Sequence, residues 1–81
     1  MDYFTYILHS DSADRYYIGY TNNLEIRLRQ HNNNYFGFTK RYRPWKIVYS
    51  KSFSDKKSAM KLERYLKSLK NKERIKQFIA G

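Results

Sequence analysis

Two short runs of aromatic and β-branched residues near the N-terminus constrain the fold most strongly. Residues 3–9 read YFTYILH and residues 15–20 read RYYIGY, and this composition favours β-strands. The intervening SDSAD is typical of a turn. A five-residue loop between two such strands predicts an antiparallel hairpin. Gly19, inside the second run, indicates a bulge or a close approach by another group, unless it merely ends the strand.

A helix is predicted after the hairpin. Asn22 is a favourable N-cap, and Glu25, three residues later, completes a pair that resembles a capping box. Leu24 and Leu28 are four residues apart and supply its buried positions. The asparagines at 32–34 are expected to end this helix.

The second half predicts one strand and two further helices. Residues 45–51, WKIVYSK, predict a third strand with Trp45, Ile47 and Tyr49 on one face. Ser54 or Asp55 is expected to cap a long helix with a core stripe of Ala59, Leu62, Leu66 and Leu69. Asn71 predicts a break before a short last helix. The order β-β-α-β-α-α therefore predicts an α+β fold, a small three-stranded antiparallel sheet covered by helices.

A length of 81 residues predicts a single domain, residues 1–81, with one modest core. Aromatic residues make up 19 % of the chain, which favours a folded domain over a disordered one.

Cysteine is absent, which excludes disulfides, thiolate metal sites and a cysteine nucleophile, and is compatible with a reducing compartment. The N-terminus resembles no signal peptide and no apolar run is long enough to span a membrane, so we expect a cytoplasmic protein without a membrane partner.

The charge is concentrated in the second half of the chain. Residues 1–39 carry three basic and four acidic residues, whereas residues 40–81 carry fourteen basic and three acidic residues. Such asymmetry predicts a polyanionic partner, most often nucleic acid. A solubilising lysine face on a helix is the simpler alternative, and an acidic membrane surface is a weaker one.

Few residues are candidates for chemistry. The sequence contains no P-loop, no paired-glycine dinucleotide motif, no HExxH and no nucleophile elbow. In the predicted hairpin, Tyr6 lies roughly opposite residues 17 to 18, so that Tyr6 and Tyr17 can project together. Arg27 and His31 are four residues apart on the following helix and share one of its faces. Each residue alone also has an ordinary structural explanation.

Together, and in this order, these residues resemble the GIY-YIG nucleases over nearly the whole chain. The resemblance rests on FTYIL, RYYIGYT, NLEIRLRQHN and AMKLERYLKS, and it is strongest to the small stand-alone bacterial members. In the first tripeptide, Phe4 and Thr5 replace the family's glycine and isoleucine. The larger nucleases also use an asparagine after the glutamate, but that role is not transferred to Asn71.

The resemblance implies metal-dependent hydrolysis of phosphodiester bonds. It makes Tyr6 the general base, Tyr17 a ligand of the water or phosphate, and Arg27 a donor to the phosphate in the transition state. His31 would hydrogen-bond the phosphate or orient a tyrosine. Glu63 would bind one Mg²⁺ or Mn²⁺ ion, and its alternative is a salt bridge to the lysine four residues later.

The loop before the third strand interleaves cations with aromatic residues. Lys40, Arg41 and Arg43 are expected to contact phosphates, while Phe36 and Phe38 either stack on bases or close the core. We therefore expect an endonuclease that acts on DNA in preference to RNA and reads structure or single strands rather than sequence. A non-catalytic nucleic-acid-binding module, or a nuclease subunit with a protein partner, remains an alternative.

Overall fold

The predicted hairpin supplies the central strand and one edge strand of a three-stranded sheet. In a computed structural model, which describes residues 2–33 and 41–81, β1 (Tyr3–Ser10) pairs antiparallel with β2 (Arg15–Thr21). β3 (Trp45–Phe53) pairs antiparallel with the other side of β1, which gives the strand order β2-β1-β3. The described residues also form three helices: α1 (Leu24–Asn32), α2 (Lys56–Ser68) and α3 (Lys72–Ala80). The predicted α+β class and element order are confirmed.

Each face of the sheet is covered by different helices because alternate side chains of a strand point to opposite faces. On one face, Tyr6, Leu8 and Trp45 form a core against which the leucines of α1 pack. On the other face, α2 and α3 cover the sheet, and the buried residues are Ile7, Ile18, Leu66 and Ile75. The predicted stripe of α2 faces this second core. α1 and the α2–α3 pair therefore pack on opposite faces of the sheet.

β3 does not keep the single face that its sequence predicts. Ile7 pairs with Tyr49, whereas the next residue of β1 pairs with Ile47, so Val48 is an extra residue in β3. Such a bulge shifts the alternation of side chains between the two faces. Trp45 consequently lies in the core next to α1, while Tyr49 packs against the core under α2 and α3. The prediction that Trp45, Ile47 and Tyr49 share one face is therefore wrong.

The N-cap of α1 lies one residue later than predicted. Asn23 is the cap, and its side-chain oxygen accepts a hydrogen bond of 3.0 Å from the Ile26 N–H. The strand continues to Thr21, whose hydroxyl oxygen accepts from the Asn23 N–H at 3.1 Å. Because this turn precedes the helix, Asn22 stays outside it and the predicted Asn22–Glu25 pair is not the cap.

α2 is attached to the centre of the sheet by a buried hydrogen bond. Asp55 caps this helix by accepting from the Ser58 N–H at 2.8 Å. One turn later, the Thr5 hydroxyl donates to the Ala59 carbonyl at 2.7 Å. Asn71 caps α3, as its position after the break predicted. Within residues 2–33 and 41–81, no helix is long and apolar enough to cross a bilayer.

Candidate active site

A cavity of about 440 Å³, here called the site cavity, is bordered by β1, β2, α1 and α2. Five residues predicted from the sequence line it: Tyr6, Tyr17, Gly19, Arg27 and Glu63. Tyr6 lies directly opposite Gly19, not opposite residues 17 to 18 as expected, and Tyr17 lies opposite Leu8. The two tyrosines are therefore diagonal neighbours on one face, with ring centroids 6.4 Å apart.

Gly19 provides the space that the Tyr6 ring occupies. A Cβ atom built on Gly19 would lie 2.6 Å from the Tyr6 hydroxyl oxygen and 2.8 Å from the ring carbon that bears it. Tyr6 is only 2 % exposed, so its ring cannot swing away into solvent. The sequence left three explanations open for Gly19: a bulge, a close approach by another group, or the end of the strand. The structure shows a close approach, by the Tyr6 ring.

His31 forms a hydrogen bond with Tyr6 inside the fold. Its Nε2 lies 3.0 Å from the Tyr6 hydroxyl oxygen, and its side chain is fully buried. The Tyr17 ring packs against the imidazole at a centroid distance of 4.5 Å. The last turn of α1 thus places an imidazole in contact with both tyrosines.

Burial determines the charge of this tyrosine–histidine pair. Desolvation raises the pKa of Tyr6 well above its usual value of 10, and the neighbouring Tyr17 and Glu63 add to this, outweighing the opposite effect of Arg27. Desolvation and then the Arg27 charge lower the pKa of His31 from 6.5 to about 4. At neutral pH the pair is therefore a protonated phenol and a neutral imidazole. In one of the two tautomers of His31, the Tyr6 O–H donates to Nε2.

Two cations border the same cavity. Arg27 projects from α1, one turn before His31, and Lys56 is the first residue of α2. Guanidinium and ammonium groups bind phosphate oxygens, and a guanidinium binds them in a bidentate manner. The cavity therefore has the positive groups that a phosphodiester requires.

Glu63 supplies the carboxylate of the cavity. Its side chain is 17 % exposed, and its Oε2 lies 3.4 Å from the Lys67 Nζ. The salt bridge that the sequence offered as an alternative thus exists, although the same side chain also lines the cavity. In the described ranges there is no group of three or more His, Asp or Glu residues arranged as metal ligands. A single carboxylate fits Mg²⁺ or Mn²⁺ only if waters and a substrate phosphate provide the remaining ligands, and Mg²⁺ is commonly held in this way.

The predicted basic loop does not border the site cavity where the structure describes it. Arg41 and Arg43 are exposed, and neither lines the cavity. Lys40, Phe36 and Phe38 lie outside the described residues. The role of this loop in binding nucleic acid stays a prediction.

Several residues of the cavity were not predicted from the sequence: Tyr3, Tyr20, Thr21, Asn22 and Lys56. Lys56 precedes Glu63 by seven residues, which places both on the same side of α2, so the helical period could have found it. Asn22 was interpreted as a cap and is instead a cavity residue. Tyr3 and Tyr20 had no signal that distinguished them from the other tyrosines.

The fold agrees with comparisons to known proteins. The profile of the GIY-YIG catalytic domain matches residues 2–76. A three-stranded sheet with this element order is also found in a UPF0213 protein of Bacillus halodurans, solved by NMR in solution. The two structures have a TM-score of 0.62 and 26 % sequence identity, over 99 % of this chain and 84 % of the other. The chain belongs to the GIY-YIG family.

Two relatives in sequence indicate where the chain lies within that family. It is 48 % identical over 61 residues to a UPF0213 protein of Bacillus licheniformis, which corresponds to 72 % of this chain and 63 % of that protein. It is also 48 % identical over 58 residues to a structure-specific endonuclease subunit SLX1 homologue of Giardia intestinalis, corresponding to 67 % and 16 %. The match therefore spans less than two thirds of either relative's length.

Proposed function

We propose that the chain is a metal-dependent endonuclease of a single domain, residues 1–81, which hydrolyses phosphodiester bonds in DNA at the site cavity. The observation that carries this proposal is the convergence of two tyrosines, an arginine and a glutamate from three separate parts of the chain on one cavity, with His31 hydrogen-bonded to Tyr6 behind it. Membership of the GIY-YIG family supports it, because the matching profile is that of a catalytic domain.

In the proposed mechanism, Tyr6 accepts the proton of the attacking water, and His31 orients the Tyr6 hydroxyl. A phenol whose pKa is raised is a poor base while it keeps its proton. His31 is neutral at pH 7, and Nε2 is within hydrogen-bond distance of the Tyr6 oxygen. The hydrogen bond to Nε2 orients the Tyr6 hydroxyl, and the positive charge of Arg27, together with that of a bound divalent ion, would favour the phenolate that accepts a proton from water. His31 thus acts through Tyr6 rather than on the phosphate.

Arg27 and Tyr17 hold the phosphate in this mechanism. Arg27 is the guanidinium of the cavity, and its charge stabilises the negative charge that develops on the non-bridging oxygens. The Tyr17 hydroxyl orients the water or the phosphate. Lys56 adds a second positive group at the same border. Because the site is partly enclosed, these charges act more strongly than they would in bulk water.

Glu63 is the residue proposed to hold the divalent ion, Mg²⁺ or Mn²⁺. A bound ion would supply Lewis-acid stabilisation of the leaving oxygen. Its binding requires that Glu63 exchange Lys67 for the ion, and Lys67 is more than half exposed, so its ammonium group can move into water. The remaining ligands would be waters and substrate oxygens, because Glu63 is the only acidic residue among the described residues that line the cavity.

The proposed substrate is DNA with a particular structure or an unpaired strand, and DNA is preferred over RNA. The domain is small, and no element is assigned to reading base edges, so we propose recognition of shape rather than sequence. The relative from Giardia is named as a subunit of a structure-specific endonuclease. This supports a possible protein partner for the present chain.

The test is cleavage of labelled single-stranded, duplex, flap and RNA substrates by the purified protein with Mg²⁺, with Mn²⁺ and with EDTA. We expect cleavage of at least one DNA substrate, complete dependence on the metal, and weaker cleavage of RNA. Absence of cleavage on every substrate, with DNA binding retained, would instead favour the non-catalytic binding module.

A further inference from the structure

A second concave surface lies between the outer strand and the long helix. This groove, here called the outer groove, has a volume of about 420 Å³. It is lined by Lys51, Phe53, Ser58, Lys61, Leu62 and Tyr65. Lys51 and Phe53 belong to β3, which is an edge strand, and the others belong to α2.

α2 separates the outer groove from the site cavity. A helical residue is turned by about 100° from its predecessor, so residues seven apart return to nearly the same side. Lys56 and Glu63 are seven apart and line the site cavity, whereas Ser58 and Tyr65 are seven apart and line the outer groove. The two concave surfaces therefore lie on opposite flanks of one helix, and they share no lining residue.

An exposed aromatic ring dominates the outer groove. Tyr65 is 55 % exposed although it is a large side chain on a helix that buries its own apolar stripe. Its ring lies 6.4 Å from that of Phe78, and both rings border a neighbouring depression that includes Arg74. At the other end of the groove, the Lys51 ammonium lies 5.6 Å from the centre of the Phe53 ring. Aromatic rings and cations thus occur together on this surface.

We propose that the outer groove binds an unpaired nucleic-acid strand. Nucleotide bases stack on exposed aromatic rings irrespective of sequence, while neighbouring cations contact the phosphates. Tyr65 would provide the stacking surface, and Lys51 and Lys61 would provide the phosphate contacts. This inference rests on the proposed function and extends it. The outer groove would hold an unpaired arm of the substrate, while the opposite flank of α2 faces the bond that is cut.

The charge of the groove favours a polyanion over a peptide or a second protein. Two lysines line it, and within the described ranges none of its lining residues is acidic. An apolar peptide would leave these ammonium groups without anionic partners. Stacking and counterion release make separate contributions to affinity, so they can be measured separately.

The experiment measures binding of a short, end-labelled oligothymidylate by fluorescence anisotropy over a range of salt concentrations. The protein carries Glu63→Gln and the buffer contains EDTA, so cleavage plays no part. We expect Tyr65→Ala to weaken binding about fivefold or more without changing the salt dependence, because it removes a stacked base but no charge. Tyr65→Phe, which keeps the aromatic face, should retain the affinity within about twofold.

The lysine variants test the phosphate contacts through the salt dependence of binding. Lys61→Gln should make the slope of log affinity against log salt less negative by about 0.7, the value for one phosphate contact on a single strand. Lys76→Gln is the matched control, since Lys76 is on α3, outside the groove, and paired with Glu73 at 3.7 Å. Unchanged affinity for Tyr65→Ala, or equal slopes for the two lysine variants, would overturn the proposal. Failure of the cleavage assay would overturn the proposed function alone, because this binding measurement does not depend on cleavage.

Discussion

Tyr6 and Gly19 face each other across β1 and β2 so closely that only a glycine leaves room for the tyrosine hydroxyl. A Cβ atom on residue 19 would meet that oxygen at 2.6 Å. The same hydroxyl is 3.0 Å from His31, on the other side of the ring's end. Gly19 therefore determines where the phenolic oxygen lies, although it has no side chain of its own.

Gly19→Ala should consequently disturb both the fold and the site. The buried Tyr6 ring would have to shift, and overpacking of this kind costs about 1–3 kcal/mol in the free energy of unfolding. Denaturant unfolding measures the loss, and cleavage assays should show reduced turnover. Gly81→Ala is the control, because a Cβ there would have nothing within 4 Å. Equal stability of the two variants would contradict the close contact.

His31 should make the stability depend on pH between about 6.5 and 4. Its pKa is about 4 in the folded protein and 6.5 in the unfolded chain, so the unfolded chain binds the proton first as the pH falls. The stabilisation is fully present above pH 6.5 and is lost as the pH falls through this window, by up to about 1.4 kcal/mol per pH unit.

Urea unfolding at several pH values, compared between the natural sequence and His31→Gln, isolates this effect. His9 is present in both proteins and cancels in the difference. A difference in unfolding free energy that stays constant from pH 7 to pH 4 would show that His31 does not have the lowered pKa.

Thr5→Val should destabilise the attachment of α2 to the sheet. The Thr5 hydroxyl is buried and donates to the carbonyl of Ala59, the same carbonyl that accepts the helical bond from the Glu63 N–H. Loss of one buried hydrogen bond costs about 1 kcal/mol, or a fall of roughly 4–8 °C in Tm for a domain of this size. Thr5→Ser keeps the hydroxyl and should have the smaller effect in thermal unfolding.

Glu63→Gln should abolish cleavage while leaving Tm nearly unchanged. The substitution keeps the size of the side chain but removes the charge proposed to hold the metal, and its partly exposed ion pair with Lys67 is worth at most about 1 kcal/mol. DNA binding without metal should be retained or become tighter. Glu73→Gln makes the same change on α3 and should cleave normally; parental activity of Glu63→Gln in Mg²⁺ would disprove the metal role.

Replacement of Lys40, Arg41 and Arg43 by alanine should reduce the salt dependence of DNA binding. Each lost phosphate contact removes about 0.7 from the slope on single strands and about 0.9 on duplex DNA. Lys76→Ala serves as the control for loss of charge outside this loop. An unchanged slope for the loop variant would place the main binding surface outside this loop.

The sequence predicted those features that depend on local pattern. The hairpin, the element order and the break at Asn71 follow from turn residues and periodicity, and all are present. The bulge at Val48 had no local signal, since WKIVYSK alternates as a regular strand does. The sequence predicted Asn22 as the N-cap, whereas the structure has the adjacent Asn23. The reason is that the extent of β2, not the type of the cap residue, decides where α1 begins.

For the candidate site, residue types were more predictable than contacts. The family motifs pointed to Tyr6, Tyr17, Arg27 and Glu63, and the structure brings these side chains to one cavity. The bond between Tyr6 and His31 joins residues far apart in sequence, and the pKa values of both depend on burial that only the folded chain creates. The protonation of the pair was therefore inaccessible to sequence reasoning.

The strand order β2-β1-β3 has a consequence for how the protein is made. The hairpin and α1, which carry both tyrosines, Arg27 and His31, leave the ribosome first and pair through short-range contacts. Glu63 arrives on α2 only after β3 has been added to the outer side of β1. Under the proposed roles, a nascent chain can acquire affinity for phosphate before it acquires its metal ligand, so nuclease activity begins only after α2 has joined the fold.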